Sequence, residues 1–488
     1  MMKSELKLQQ RNVIQTHKKP SPIIAIKNLT WKPARISNDK IYDIWVEFDF
    51  TAKNGAKRAY ITLKPLKYAN LPANIFPYEN DRQISINLYG VKNGKIKVRF
   101  NNLKGGREYH IKAKIVDLRD EQKTRNAKTN YIRQFENFGK TVLRSGIIVG
   151  VTYKVMMGYY IDWKTWGPFS VHPLLGEYDS LDPIVIAKHI DWITGHGINC
   201  LFLGWGIDDE ELNLQNHMNI LKFLSNNITS QVMISIGYDI SRLDYAGIRS
   251  DENGLKYLTD EARWKTIVGD FKLMSMDLFG RKNFLKIEGR PVVYFYGSDA
   301  LRGNVKAFLS KINNEAGYHI YFISDHAHPW AAEWVREAEP RGEWKELAYA
   351  LLFDAWSVWA GGWWSPVKEP LNQNYPKFLD KGYNIWRKIA NKYRKQLVPS
   401  IIPGFVELRD PEWLKNYGNL PRDVGMFKKL LKIALRYATR KDGYKIIRID
   451  EFNEFGEGTA IEPTIEEGFT YLEAVQEVLL NVISENKP

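Results

Sequence analysis

Five carboxylates lie within thirteen residues, directly after an apolar run, in the stretch RIDEFNEFGEGTAIEPT (residues 448–464). They are Asp450, Glu451, Glu454, Glu457 and Glu462. Like charges this close together can raise a carboxyl pKa, which is how a glutamic acid stays protonated near neutral pH. A carboxyl pair can then cleave a glycosidic bond, because one group protonates the leaving oxygen while the other attacks or activates an attacking oxygen.

Within this stretch Glu454 and Glu457 are three residues apart, and Gly456 and Gly458 allow a tight turn around them. We predict that Glu454 and Glu457 are the catalytic pair. The alternative is a solvated acidic turn that begins the following segment, since paired glutamates are common in proteins.

A sugar site also needs aromatic rings, which stack on apolar C–H faces, and polar groups that bind hydroxyls. Side chains of both kinds follow the apolar, strand-like runs of the chain. The predicted substrate-binding residues of this origin are Asp162, Trp163, Trp205, Tyr238, Tyr296, Asp325, His326, Trp356, Trp359 and Asn453. Tryptophan is most often a core residue, so part of this set is expected to belong to the core alone.

The sequence SDHAHPW brings Asp325, His326 and His328 within four residues, a spacing that could bind a metal. Histidines on a loop more often hydrogen-bond to substrate or backbone, so we predict no metal and no cofactor. The sequence contains no Ser-His-Asp ordering, phosphate-binding loop or zinc-binding helix motif.

The elements that must position these residues alternate between strand-like and helical patterns. The first helix is predicted to start with Asp182 as its N-cap and Pro183 as its first residue. Eight strands are predicted, at 155–161, 198–205, 231–238, 290–297, 318–324, 351–359, 396–404 and 444–452. Runs this apolar suit strands that are buried on both faces, and no Gly-rich phosphate turn follows them as in a doubly wound sheet. We predict an α/β fold, a (β/α)8 TIM barrel over residues 151–482, with its reacting groups at the C-terminal strand ends.

Residues 21–118 have a different pattern, in which short period-2 runs are separated by Asn, Gly and Pro. We predict an antiparallel β-sandwich there, after a flexible segment (1–20) and before a connector (119–150). Leu103, Tyr109 and the alternation that follows resemble the tyrosine corner of fibronectin type III domains, in which the tyrosine hydroxyl bonds back to the backbone.

Charge is distributed unevenly along the chain. Residues 1–145 contain 30 Lys/Arg and 12 Asp/Glu, a net charge of +18, so the remainder has 70 − 30 = 40 basic and 56 − 12 = 44 acidic residues, or −4. This asymmetry indicates an anionic glycan or surface as a partner of the N-terminal part, unless the lysines only keep it soluble. Nucleic acid is not expected, because the aromatic residues of this part are predicted to lie in its core.

The chain has a single cysteine, Cys200, which excludes an intramolecular disulfide within this sequence. Neither a signal peptide nor an apolar run long enough for a membrane span is evident. The expected location is therefore cytoplasmic, which leaves open release by an unconventional route.

The segment FNEFGEGTAIEPT resembles the C-terminal signature of glycoside hydrolase family 99, the endo-α-mannosidases and endo-α-mannanases, and of family 99-like proteins. Four further segments are similar in the same order: HPLLGEYDSLDPIVIAKHIDWITGHGINCLFLGWG, FLKIEGRPVVYFYGSD, FDAWSVWAG and LVPSIIPGF. The resemblance covers roughly residues 153–465 and implies a barrel. It also implies that Glu454 assists the sugar's own 2-hydroxyl in attacking C1, through a 1,2-anhydro sugar, and that Glu457 is the general acid/base.

The resemblance further implies that Asn453, Trp205, Tyr294 and Tyr296 lie near the sugar that is cleaved. Two features depart from the family pattern. Phe455 and Gly456 stand where the family has Trp-His, and the third strand carries ISIGYD, where the family has a His and a Glu.

We therefore predict a retaining endo-glycosidase that hydrolyses α-linked, mannose-containing glycan, with an oligo- or polysaccharide as its substrate. Two other hypotheses remain at this point. One is a glycan-binding protein with an inactive barrel, and the other is a glycosyltransferase of polysaccharide assembly.

Overall fold

The computed structural model describes residues 23–36, 41–66, 80–154, 168–178, 182–205, 232–359, 367–410, 412, 415 and 418–485. After residue 146, parallel strands alternate with helices that pack on their outer side. The strands form one curled sheet and are β6 (Ile147–Tyr153), β7 (Cys200–Trp205), β8 (Met233–Asp239), β9 (Arg290–Tyr296), β10 (Tyr321–Ser324), β11 (Ala355–Trp356), β12 (Gln396–Leu397), β13 (Ser400–Ile401) and β14 (Tyr444–Ile449).

This sheet closes into a barrel through a strand that is split in two. Its order is β12-β11-β10-β9-β8-β7-β6-β14-β13, and β12 and β13 are consecutive in sequence. Between them, Val398 N–H donates to the Trp356 carbonyl on one side, and the Pro399 carbonyl accepts from Arg448 N–H on the other, both at 2.9 Å. The two edges of the sheet are thus joined by one stretch of chain, so this curled parallel sheet of nine strands is consistent with the predicted barrel.

The helices of the barrel are amphipathic and bury one face against the sheet. The helix after β6 begins as predicted, because Asp182 accepts from Ile184 N–H at 2.8 Å and Pro183 is its first residue. The longer helices are α1 (Phe138–Arg144), α2 (Pro183–Gly195), α3 (Lys265–Met274), α4 (Val305–Ala316), α5 (Ala332–Ala338), α6 (Leu371–Lys392), α7 (Val424–Tyr437) and α8 (Thr470–Glu485). Among the described residues, none of the helices is both long and apolar enough to cross a bilayer.

Alternate residues of each barrel strand face opposite sides of the sheet, as strand geometry requires. Contacts between strands that are not neighbours identify the inner side: the Arg448 guanidinium on β14 lies 5.6 Å from the Phe202 ring on β7 and 3.3 Å from the Tyr294 ring on β9. Val293, Phe295 and the other residues of opposite parity pack instead against the helices. This parity decides which side chains can reach a site inside the barrel mouth.

The N-terminal part folds into one antiparallel sheet of five strands rather than two separate sheets. Its strands are β1 (Ile24–Ile36), β2 (Ile41–Pro65), β3 (Arg82–Lys104), β4 (Tyr109–Asp117) and β5 (Gln122–Lys128). The long strand β2 pairs with β3 along its length, and with β1 and then β4 on its other edge. Tyr109 is buried, and its hydroxyl donates to the Lys104 carbonyl at 2.9 Å, which is the hydrogen bond expected of a tyrosine corner.

One boundary differs from the prediction, and one predicted strand falls outside the described residues. Strand β5 lies inside the predicted connector, because the alternation of small and charged residues at 122–128 is too polar to read as a strand from sequence. The first barrel strand is Ile147–Tyr153, whereas the strand predicted at 155–161 lies outside the described residues.

Candidate active site

The inner side of the barrel mouth has a polar floor formed by buried residues of β6, β9 and β14. Arg448 donates to Asp450 at 2.7 Å, and Thr152 donates to the same carboxylate oxygen at 2.7 Å. The Tyr294 ring lies against the Arg448 guanidinium. A buried arginine needs such partners to offset its desolvation. This network fixes the end of β14, from which the acidic stretch begins.

The acidic stretch then turns back over the end of β6. Phe452 N–H donates to the Thr152 carbonyl at 2.8 Å, and Glu462 N–H donates to the Phe452 carbonyl at 2.7 Å. The Glu462 carboxylate is fully buried and accepts from the Tyr178 hydroxyl at 2.7 Å. Asp450 and Glu462 therefore anchor the stretch, and three glutamates remain for chemistry.

Those three glutamates converge on Lys154, the residue that follows β6. Its ammonium group forms an ion pair with Glu454 and lies 3.5 Å from a carboxylate oxygen of Glu451. Asn453 holds the backbone of the lysine, because its side-chain amide accepts from Lys154 N–H and donates to the Lys154 carbonyl, both at 2.9 Å. Asn453 was predicted to bind substrate, but both the oxygen and the nitrogen of its amide hydrogen-bond to the backbone of Lys154.

The environment separates the pKa values of the predicted pair. Burial raises the pKa of Glu457 to about 7, with a further contribution from the charge of Glu454. Burial would also raise the pKa of Glu454, but the Lys154 ammonium, the Arg409 guanidinium and the Glu457 N–H outweigh it and hold that pKa below its usual range. At neutral pH Glu454 is therefore ionised while a substantial fraction of Glu457 is protonated, which is the division of roles that glycosidic cleavage needs.

Glu451 is the third member of the cluster and lies deeper than Glu457. Burial raises the pKa of Glu451 to about 8, although Lys154 opposes that shift. Trp359 Nε1 donates to Glu451 at 3.4 Å, and the side chain is only 4% exposed. Glu457 is partly exposed, so it can reach a substrate more easily than Glu451 can.

The two glycines of the acidic stretch, Gly456 and Gly458, are required for different structural reasons. Gly458 has a φ of +63°, a left-handed conformation that favours glycine. A Cβ atom on Gly456 would lie 2.3 Å from the Arg409 guanidinium, so the missing side chain makes room for that cation. Arg409 is held by a bidentate ion pair with Glu407, with its closest contact at 2.6 Å. A cation thus lies beside Phe455-Gly456, where the resembled family has Trp-His.

Further predicted residues lie around this cluster on the inner side of the barrel. The Tyr296 and Trp359 rings are 6.0 Å apart, partly exposed and edge-on to each other. Asp325 accepts from the Tyr294 hydroxyl at 2.9 Å and from Gly297 N–H at 3.2 Å. Burial raises the pKa of Asp325 to about 6. Aromatic rings and carboxyl groups are thus close together, as a sugar site requires.

Four predicted residues lie away from the carboxylate cluster. Tyr238 donates to Asp270 at 2.8 Å in the helix layer, and Trp356 donates to the Ala350 carbonyl at 2.8 Å. Trp205 belongs to the same outer core, and His326 lines a separate cavity. All four have the outward parity of their strands, so their side chains point away from the barrel interior. Asp162 and Trp163 lie outside the described residues.

The sequence interpretation missed Lys154 and Arg409 and gave Glu451 no role. Lys154 follows β6, whereas the first barrel strand was predicted to begin at residue 155, so Lys154 was not considered as a strand-end residue. Arg409 comes from a loop after β13, and its guanidinium occupies the space that a side chain on residue 456 would need. The glycine between the two glutamates was the available hint in the sequence.

Comparisons with protein-family models and with curated proteins return no match. Solved structures do match. A "glycoside hydrolase-like protein" is similar at 18% identity, covering 68% of this chain and 93% of its own, with a TM-score of 0.51. A GH99 endo-alpha-mannosidase from Bacteroides thetaiotaomicron is similar at 16% identity, covering 69% of this chain and 98% of its own, with a TM-score of 0.49. At such identity the likeness to the first of these structures shows the fold alone, and the activity must be argued from the site.

Within the described residues, no three His, Cys, Asp or Glu side chains are grouped closely enough to bind a metal. Two of the three residues whose spacing could bind a metal are histidines with other partners. His328 Nε2 bonds to Asp299 at 3.0 Å, and His326 Nδ1 bonds to Ser324 at 2.9 Å. These histidines serve as hydrogen-bonding groups in this arrangement.

The pH dependence of catalysis follows from the two shifted groups. If Glu457 is the acid, as the sequence predicts, we expect kcat/KM to fall as the pH rises through about 7, because the acid form is lost there. The acidic limb should lie below the usual glutamate range, because Lys154 keeps Glu454 ionised. A pH profile of kcat/KM on one substrate measures both limbs. A basic limb near 8 that disappears in Glu451→Gln would instead make Glu451 the acid.

Proposed function

We propose that this protein is a retaining endo-glycosidase that hydrolyses α-linked, mannose-containing glycan. The observation that carries the proposal is the opposite perturbation of two neighbouring glutamates in the barrel mouth, with the pKa of Glu457 raised to about 7 and that of Glu454 lowered. Two titratable groups whose surroundings push their pKa values apart in one cleft are candidates for an acid and a base.

In the first step of the proposed reaction, Glu454 accepts the proton of the sugar's 2-hydroxyl as that oxygen attacks C1. Glu457 donates its proton to the glycosidic oxygen, and the C1–O bond to the leaving sugar breaks. The product is a 1,2-anhydro sugar, and its formation inverts C1. Lys154 keeps Glu454 ionised for this step, because its ammonium group contacts that carboxylate.

In the second step water attacks C1 of the 1,2-anhydro sugar. Glu457, now ionised, accepts a proton from the water, while Glu454 returns its proton to O2 as the small ring opens. C1 is inverted a second time, so the overall reaction retains configuration and restores both carboxyl groups. Glu457 is half-buried as a residue, which is consistent with the entry of water beside it.

The mannose preference rests on the resemblance of the acidic stretch alone. The third barrel strand offers little to a sugar, since the Ser235 hydroxyl donates to the Val292 carbonyl at 2.8 Å and Gly237 has no side chain. Tyr296 and Trp359 therefore remain the proposed stacking groups for the sugar ring.

The experiment that tests the proposal is a screen of plant, fungal and microbial polysaccharides for new reducing ends, with no nucleotide sugar added. Release of reducing oligosaccharide from α-mannan, abolished in Glu457→Gln, would support it. Binding without release would favour an inactive, glycan-binding barrel. Activity that depends on an added activated donor would favour a transferase.

We further propose that the N-terminal sheet binds an anionic glycan or surface. Its Tyr109 hydrogen bond supports the resemblance to fibronectin type III domains. One face of this sheet presents the outward residues of β4 and their cross-strand neighbours. Lys112 and Lys114 lie there beside Lys64 on β2, in a shallow cavity of about 390 Å³ with a single carboxylate, Asp81. Several ammonium groups around one carboxylate suit an anionic ligand.

Reversing two of these charges tests the idea. We expect Lys112→Glu/Lys114→Glu to elute from heparin at clearly lower salt than the unchanged protein, because two ammonium groups become carboxylates at the proposed contact. Charges elsewhere cannot compensate, since salt screens their fields within about 8–10 Å. Lys282→Glu/Lys306→Glu, at exposed positions on the barrel, alters net charge equally and serves as the control. Equal elution of the two variants would make the basic sheet a solubility feature only.

A further inference from the structure

A second cavity, of about 510 Å³, lies outside the carboxylate cluster. It is lined by residues that follow the C-terminal ends of β8, β9 and β10, including residues of α5, and by one residue of α6. None of Lys154, Glu451, Glu454 and Glu457 belongs to its lining. The volume falls within the range of about 300–1,000 Å³ that is usual for small-molecule sites.

Tryptophan dominates the walls of this cavity. Trp330 and Trp334 are each 51% exposed, although a side chain as large and apolar as tryptophan is mostly buried in folded proteins. They are four residues apart across the start of α5, a spacing that brings side chains to one face. Trp344 and Trp386, whose rings are 5.7 Å apart, form a buried base beneath them.

Three buried polar atoms among the lining residues have no hydrogen-bond partner in the described part of the chain. They are Nε2 of His326, Nδ1 of His328 and one carboxylate oxygen of Glu346. His326 is only 5% exposed, and its other ring nitrogen is bonded to Ser324 at 2.9 Å. Buried polar atoms are nearly always paired, so lining residues with unpaired atoms leave hydrogen bonds that bound water or a ligand can supply.

The charges around the cavity are close to balanced. Asp299 is paired with His328 at 3.0 Å, and Glu346 is paired with Arg302 at 3.5 Å. Burial lowers the pKa of the remaining histidine, His326, to about 4, so that ring is neutral at physiological pH. A site with paired charges and a neutral imidazole favours an uncharged ligand with hydroxyl groups.

We propose that this cavity is a second, non-catalytic carbohydrate site that binds a neutral pyranose residue. Trp330 and Trp334 would stack on the apolar face of the sugar. His326, His328 and Glu346 would bond to its hydroxyls. The choice of a glycan over other uncharged ligands rests in part on the proposed function. A glycan chain held here would be retained by the enzyme between cleavage events at the carboxylates.

Native gels containing yeast mannan or dextran test the site with the full chain. We expect one of these polymers to retard the protein, and Trp330→Ala/Trp334→Ala to weaken that binding about 10-fold or more, as for the loss of two aromatic anchors. Tyr89→Ala removes a 78% exposed ring from the N-terminal sheet and is the matched control. Each single tryptophan variant and Glu346→Gln should show an intermediate loss, at an unchanged thermal midpoint.

The outcomes separate this proposal from the hydrolase proposal. No retardation by either polymer, or equal retardation of the double variant and Tyr89→Ala, would overturn the second site. Retardation that depends on Trp330 and Trp334 without any new reducing ends would uphold the second site and refute the hydrolase. Cleavage and retardation that are both unaffected by the tryptophan variants would uphold the hydrolase and refute the second site.

Discussion

Glu457→Gln is expected to reduce turnover of a polymeric substrate by roughly 10²–10⁴-fold, the usual loss when a general acid is removed. Glutamine keeps the size of the side chain but has no proton to donate at that position. Burial and the neighbouring Glu454 maintain the acid form that is lost in the variant. Initial rates of reducing-end release measure the effect, and retained binding of oligosaccharide shows that the cleft is intact.

A substrate with an activated leaving group makes this test specific for acid catalysis. Fluoride needs little protonation to depart, so Glu457→Gln should lose much less activity on an α-mannosyl fluoride than on the polymer. Glu466→Gln serves as the control, since Glu466 lies in the same segment but is bonded to His172 at 2.6 Å, and its turnover should be unchanged. Near-normal polymer cleavage by Glu457→Gln would remove this residue from the mechanism.

Glu454→Gln is expected to abolish turnover to a similar degree, again roughly 10²–10⁴-fold, but on both kinds of substrate. The proposed role of Glu454 is to accept the proton of the 2-hydroxyl, and that transfer is needed whichever group leaves. The comparison of polymer and fluoride rates for the two variants therefore distinguishes the base from the acid.

The same substitution leaves Lys154 without its closest carboxylate, so the folded state needs its own measurement. Glu451 remains 3.5 Å from the ammonium group, and the thermal midpoint reports how far it compensates. Lost turnover with a preserved midpoint supports the proposed base. Full fluoride activity in Glu454→Gln would show that another group, with Glu451 the nearest, performs the first step.

Much of the architecture could be predicted from the sequence because it depends on local patterns. Apolar runs and the Asp182-Pro183 helix start indicate parallel strands and helices, and both are present. The crowding of carboxylates after the last strand also indicated a reactive site, and Glu454 and Glu457 do lie in the barrel mouth. The Tyr109 hydrogen bond was likewise readable from spacing.

The sequence alone could not decide which strand-end residues face inward. A shift of one residue along a strand moves a side chain to the opposite side of the sheet. Tyr294 and Tyr296 therefore point into the barrel, whereas Tyr238 and Trp356, chosen by the same rule, lie among the helices. Only the register of each strand, set by pairing with its neighbours, fixes that parity.

The partners of the glutamates also required the tertiary structure. Lys154 lies 300 positions before Glu454 in sequence and reaches it because β6 and β14 are adjacent in the closed barrel. Local pattern determined the elements and the acidic stretch of this protein. Closure of the barrel decided which cation lies beside each carboxylate, because electrostatic interactions depend on distance in space and not on separation along the chain.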